Sequence, residues 1–218
     1  YPMFAENRRL ERREDILETL ESEGFKIHNI IDYTSAEQEH IFLEGTGSII
    51  LDRENRKAYC ALSARADEDL FIEFCEDFEY TPVIFVANQT VNGQRKPIYH
   101  TNVMMAMGDD FVVICMDTIR DEQEKAQVEY YFRETEKAII EISLEQMNHF
   151  AGNMLQVENQ AGTTYLVMSE QAFKSLNTGQ ISQIERHTNI LHSPLYTIEK
   201  YGGGSARCML AEVFLPKS

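Results

Sequence analysis

A thiol, an imidazole and a carboxylate, Cys208, His100 and Glu44, stand 108 and 56 residues apart in a chain of 218 residues. An imidazole within reach of a thiol takes its proton near neutral pH and returns it to a leaving group, so the two together make a nucleophile and its base. A buried carboxylate beside them orients the imidazole or binds a cationic group of a substrate. Cys208 closes the stretch YGGGSARC, in which three of the 11 glycines are consecutive. Lacking Cβ atoms, such a run lets backbone N–H groups approach a ligand, and the adjacent Arg207 is a cation that favours a thiolate. Taken singly, each residue has an ordinary reading: a small core hydrophobe, a hydrogen-bonded histidine, a turn and a flexible loop.

Their placement in a repeat is what sets them apart. SIILDRENRKAYCALS from Ser48, NVMMAMGDDFVVICMD from Asn102 and NMLQVENQAGTTYLVM from Asn153 each read as an apolar strand, a polar turn and a second apolar strand. The turns fall at Asp52–Lys57, Gly108–Asp110 and Glu158–Gly162, and helix-compatible spacing follows over Ala66–Phe78, Asp121–Glu136 and Ser169–Leu176. VIFVAN, AIIEIS and NILHS supply a further strand after each helix. The unit is ββαβ, with starts 54 and 51 residues apart and another start at Cys208, 55 further on. Repetition of such a unit implies a rotationally arranged fold in which equivalent strand ends converge. Glu44 lies just ahead of the first hairpin, His100 just ahead of the second, and Cys208 is expected to head the last strand, so the three converge on one central site.

The remaining elements read more simply. Glu6–Glu23 suggests an amphipathic helix stopped by Gly24, with FKIHNII after it as a strand, and the charge-dense ENRRLERRED is read as a solvated helix face. Cys60, Cys75 and Cys115, with Met104, Met105 and Met107, are assigned to the core. Arg65 is placed to grip a substrate carboxylate, or equally to lie on the surface at a helix start. His149 and Asn153 are read as capping or turning backbone, and His28, His40, His187 and His192 show no partner.

Composition narrows the function classes. A formal net charge of −16 leaves no electrostatic footprint for a phosphate backbone, so nucleic acid is not an expected partner. The four cysteines form no CxxC and sit beside no histidine pair, which argues against zinc and against a secreted disulfide framework and makes a reducing cytoplasm the default. No apolar run approaches the ~20 residues of a membrane span. Oligomeric state is not readable, a homodimer being one arrangement open to the chain.

The segments FLEGTGSIILDRENRKAYCALSAR, IYHTN and GGGSARCMLAEVFLP, with the opening YPMFAENRRLERR, resemble the guanidino-group-modifying (pentein) superfamily of arginine deiminase, dimethylarginine hydrolase and the amidinotransferases. Within it the chain is most similar to the citrulline-utilisation hydrolase, or amidinotransferase-like, group, and the resemblance covers essentially all 218 residues as one domain. It implies an α/β propeller of five ββαβ modules, about four of them in this chain, with the first module missing ahead of Tyr1-Pro2 and turnover by the fragment correspondingly weak or absent. It also implies that Cys208 attacks the central carbon of a guanidinium or ureido group, that His100 protonates the leaving nitrogen and then activates water, and that Glu44 holds the amidine nitrogens. The substrate is a small amino acid, and neither metal nor organic cofactor is implied. Two departures bear on that substrate. Glu44-Gly45-Thr46-Gly47 stands where deiminases carry Glu-Gly-Gly-Asp, and His100-Thr101-Asn102 stands where they carry His-x-Asp, which puts Asn102 at a substrate-binding position. Fewer acids near the amidine suit a neutral ureido group, as in citrulline, better than arginine. The alternatives are amidino transfer and a non-catalytic binding or scaffold domain. A cysteine peptidase is disfavoured by the absence of its Cys-then-His order.

Overall fold

The computed structural model describes residues 1–91 and 93–217. The N-terminal segment is a 3-10 helix over Glu6–Glu11 followed by helix α1 (Asp15–Ser22), not one continuous helix. The break has a visible cause: Arg9 and Arg12 both reach back to Glu37, and Arg9 also donates to the Met3 carbonyl, which holds Arg12 in an extended conformation. The face read as merely solvated is therefore partly tied to the body of the protein. Gly24 does end the helix, with φ +86°. FKIHNII forms no strand. Phe25 makes only an isolated bridge with Lys217, while Ile30 and Ile31 are exposed with no sheet edge opposite.

Three ββαβ modules follow. In the first, β1 (Ile49–Asp52) and β2 (Lys57–Ala61) pair antiparallel, α2 (Glu68–Asp77) crosses over, and β3 (Thr81–Phe85) returns parallel to β2. A hairpin that periodicity did not predict, β4 (Asn88–Val91) with β5 (Gln94–Pro97), leads to the second module. That module consists of β6 (Met105–Met107), β7 (Phe111–Ile114), α3 (Glu122–Glu134) and β8 (Ala138–Glu141), with the same pairing pattern. A short α4 (Leu144–Asn148) connects to the third, built from β9 (Leu155–Glu158), β10 (Thr164–Ser169), α5 (Glu170–Ser175), α6 (Thr178–Ile184) and β11 (Asn189–Ser193). The sheet of each module thus has three strands with the module's second strand in the middle. Helix α7 (Tyr196–Gly202) precedes the glycine run.

Local chemistry explains the helix starts. Asp67, Asp121 and Ser169 cap α2, α3 and α5 through side-chain oxygens, and Ser143 with Gln146 and Asn177 with Gln180 form capping boxes on α4 and α6. All four residues of β7, Phe-Val-Val-Ile, are buried, as expected of a central strand covered on both faces. The main core runs through all three modules, with Tyr59 of the first stacked on Phe132 of the second at 5.1 Å and Met104 and Met105 fully buried. A smaller core under α2 holds Leu43, Phe71, Phe74 and Cys75. The three cysteines assigned to the interior are buried, Cys60 and Cys75 in the smaller core and Cys115 in the main one, and among the described residues no helix is long and apolar enough to cross a membrane.

The two ends of the modules differ in character. At the hairpin tips, Lys137 and Asp52 form an ion pair of 3.3 Å with both side chains 2% exposed, and the ammonium also donates to the Asp109 carbonyl. Replacing Lys137 by methionine leaves that carboxylate buried without its cation and is expected to lower stability by about 3 kcal/mol. Urea denaturation would show it, and a Lys137→Met, Asp52→Asn double variant should recover part of the loss. An equal loss in the single and double variants would show that the charge is not the reason. The other end of the modules carries the candidate chemistry.

Candidate active site

Glu44, Arg65, His100, Asn102 and Cys208, all five residues singled out by sequence, line one cavity of about 560 Å³. The convergence follows from the repeat. The backbone ahead of β1 and ahead of β6 makes a single 3-10 turn, Gly45–Gly47 and Thr101–Val103, and the residues just before these turns are Glu44 and His100. Side chains at the module heads bind neighbouring modules together. Thr101 Oγ1 donates to the Ser48 carbonyl at 2.5 Å and accepts from the Ala61 N–H, and Asn153 Nδ2 donates to the Asn102 carbonyl at 3.0 Å.

Glu44 is the most enclosed of the group, its side chain 1% exposed. Oε1 accepts from the Phe4 N–H at 2.9 Å, and Oε2 lies 2.6 Å from His100 Nε2 and 3.5 Å from Arg65 Nη1. Burial pushes the carboxyl upward, but the His100 hydrogen bond, the Phe4 N–H and the charges of His100 and Arg65 outweigh it and hold the pKa below the ordinary glutamate value. Because the folded value is depressed, the stability this group contributes is present above the unfolded pKa and is lost as pH falls through the folded one. Urea midpoints between pH 7 and pH 3 should therefore fall less steeply for Glu44→Gln than for the parent. Parallel acid limbs would contradict this sign.

With Nε2 engaged by Glu44, the other ring nitrogen, Nδ1, lies against Gly47, where a Cβ would stand 2.8 Å from it. Tyr99 packs against that ring at 5.0 Å, lies 5.1 Å from the Arg65 guanidinium, and its hydroxyl donates to the Gly203 carbonyl at 3.4 Å. Arg65 is thus held at the cavity wall between a carboxylate and an aromatic ring. Asn102 is 4% exposed, with Nδ2 3.9 Å from Cys208 Sγ and a buried Oδ1 that has no hydrogen-bond partner among the described residues. Such an oxygen is an acceptor waiting for an N–H.

Cys208 itself is exposed and does not head a strand. It sits in a 3-10 turn, Arg207–Met209, and no strand ladder follows. Among the described residues the fourth start of the repeat therefore yields no hairpin. The three glycines divide their work. Gly202 ends α7, Gly203 takes the left-handed conformation at φ +70° that caps the helix, and at Gly204 a Cβ would stand 3.0 Å from the Cys208 sulfur. Arg207 turns its guanidinium to the Leu210 carbonyl and Glu212, and burial lowers its pKa.

Sequence reasoning passed over three residues that belong here. Asn153, read as a turn residue, lies 3.3 Å through Nδ2 from the sulfur, and its position at the third repeat start was the available signal. Tyr99 carried no signal beyond its place next to His100. Arg8 lines the cavity although the segment around it was read as solvated surface, its guanidinium paired with Glu11 at 3.0 Å. Among the described residues no group of three or more His, Cys, Asp or Glu side chains is placed to hold a metal ion.

Repeated ββαβ modules around a central cavity define the pentein fold of the guanidino-group-modifying superfamily, and solved structures share it. The chain superimposes on the N-terminal domain of the cyanobacterial arginine dihydrolase ArgZ with a TM-score of 0.67 at 18% identity, covering 98% of this chain and 70% of that one. It matches the apo structure of ArgZ from cyanobacteria at 0.66 and 16% identity, covering 99% of this chain and 31% of the other, so it spans less than a third of that chain. The SxtG amidinotransferase from Microseira wollei aligns at 0.58 and 10% identity over 99% of this chain and 65% of its own. More specifically, the model of the family N,N dimethylarginine dimethylhydrolase, eukaryotic, matches residues 1–215, and the chain belongs to that family. No curated protein matches it significantly by sequence.

Proposed function

We propose that the protein is a cysteine-dependent hydrolase of a guanidino or ureido carbon–nitrogen bond on an amino-acid side chain, working as one amidinotransferase-like unit over residues 1–218. The observation that carries this reading is the shared cavity in which the exposed Cys208 faces the same space as a histidine fixed at 2.6 Å by a buried glutamate. In this mechanism the Cys208 thiolate attacks the planar central carbon and forms a tetrahedral adduct. His100 protonates the departing nitrogen, leaving a covalent thiouronium or thiocarbamate. The same imidazole then takes a proton from water, whose oxygen displaces the sulfur. Glu44 orients that imidazole through Oε2 and stabilises its charged form, while Oε1 is taken by the Phe4 N–H, and the engagement of both oxygens supports orientation of the base over the amidine-holding role that the resemblance implies. Asn102 Oδ1 accepts an N–H of the substrate, and Arg65 with Arg8 attracts its carboxylate.

The charges favour a neutral ureido group such as that of citrulline. Of the two acids that line the cavity, Glu44 is engaged by Arg65 and His100 and Glu11 by Arg8, so neither carboxylate is free to hold a cationic guanidinium. The chemistry needs no metal or organic cofactor, and a free, exposed thiol suits the reducing cytoplasm. Incubation with citrulline, arginine and methylated arginines, scoring ornithine, ammonia, urea and methylamines, tests the reading. Ammonia released from arginine faster than citrulline is consumed would reverse the substrate preference. Product that forms only when glycine or ornithine is added would make the enzyme an amidinotransferase.

A further inference from the structure

Asn153 is 3% exposed, and its side chain is fixed before any substrate arrives. Its amide nitrogen has two hydrogens. One is committed to the Asn102 carbonyl, whose oxygen is 3.0 Å from Nδ2, and the other serves Cys208, whose Sγ is 3.3 Å from Nδ2. The amide oxygen lies 3.6 Å from the same sulfur. Donor and acceptor therefore face one atom from one rigid group. The backbone is locked as well, since the Asn153 N–H donates to the Phe150 carbonyl at 2.9 Å and Gly152 lies directly against Val103 and Met104 of the neighbouring module.

We propose that Asn153 holds the Cys208 sulfur in both of its protonation states, donating from Nδ2 to the thiolate and accepting at Oδ1 from the thiol. No rotation is needed on switching, because the two contacts use different atoms of a planar amide. The thiolate gains more, since a hydrogen bond to a charged acceptor is stronger than one from a neutral S–H. Asn153 then acts directly on the reacting atom, drawing the equilibrium toward the nucleophile and keeping the sulfur aimed across the cavity. When the sulfur becomes bonded to the substrate carbon, the Nδ2 donor weakens its hold, and it recovers that hold when water displaces the thiolate. This deepens the reading of Cys208 as nucleophile and rests on it.

Alkylation by iodoacetamide isolates the effect from turnover. Cys60, Cys75 and Cys115 are buried, so the reagent meets Cys208, and Cys208→Ala supplies the blank. In Asn153→Ala and Asn153→Leu, with folding checked by circular dichroism, the ratio of the alkylation rate at pH 7 to that at pH 9 should fall about tenfold, the scale of one hydrogen bond to a charged group. A merely structural asparagine would change stability without changing this ratio. An unchanged ratio in either folded variant overturns the proposal. Should neither variant fold, the intact protein decides. The side-chain amide resonances of Asn153 should move over the same pH range as the alkylation rate, and resonances that stay fixed across it would overturn the proposal. Turnover retained by Cys208→Ala would instead end the nucleophile reading and leave the alkylation result standing.

Discussion

Cys208→Ala is expected to lose turnover of its guanidino or ureido substrate by at least about ten-thousand-fold, with little change in stability. The magnitude follows from the mechanism. Without the sulfur there is no covalent route, and the remaining imidazole can only assist a direct attack by water, for which it has not been positioned. The near-neutral stability follows from the structure. The cysteine is exposed and belongs to neither hydrophobic core, so its loss opens no buried cavity. Product release and thermal unfolding measured on the same preparation separate the two effects. Activity retained by the variant would end the nucleophile assignment outright, whereas a large drop in melting temperature would show that the cysteine is a packing residue after all.

Gly152→Ala is expected to cost about 4–5 kcal/mol or more, at the severe end for a single methyl group. A Cβ at this position would overlap the Val103 carbonyl oxygen and stand 2.8 Å and 2.9 Å from the carbonyl carbon and Cα of Met104. Those atoms are backbone of the second module, so no rotamer change relieves the overlap. The modules must move apart, and the Asn153–Asn102 hydrogen bond lies directly beside the contact. Urea denaturation would measure the loss, and iodoacetamide reactivity of Cys208 should change with it. A cost below about 1 kcal/mol would show that the two backbones are free to separate.

Much of this architecture was legible because it repeats. The hairpins, the crossover helices and the returning strands all appeared in the spacing of Ser48, Asn102 and Asn153, and so did the meeting of Glu44, His100 and Cys208 in one cavity. What was not legible depends on tertiary contacts that periodicity does not encode. Residues Glu6–Glu23 carry an unbroken helical pattern, yet the pull of Glu37 on Arg9 and Arg12 divides them. FKIHNII has strand composition, yet beyond the contact of Phe25 and Lys26 with residues 216–217 it meets no strand among the described residues. Cys208 is expected to head a strand because the repeat predicts one, yet the backbone there closes into the 3-10 turn Arg207–Met209. Asn153 was set aside although it occupies the repeat position that Asn102 shares, because one asparagine before a strand looks like any turn. Its meaning depends on a sulfur 55 residues further along.

The order in which the site's parts occur along the chain has a consequence for biosynthesis. Glu44 and His100 belong to the first two modules and hydrogen-bond to one another at 2.6 Å, a contact that needs only those modules. The sulfur comes from a turn that follows β11 and α7 and is held by an asparagine of the third module. During synthesis the early modules can fold, and the base and its orienting carboxylate can meet, well before residue 208 has been translated. On the proposed mechanism, a nascent chain therefore carries the histidine and its orienting glutamate before the sulfur they would serve. The proposed chemistry would need residue 208, so a product that stops before it would lack the proposed nucleophile.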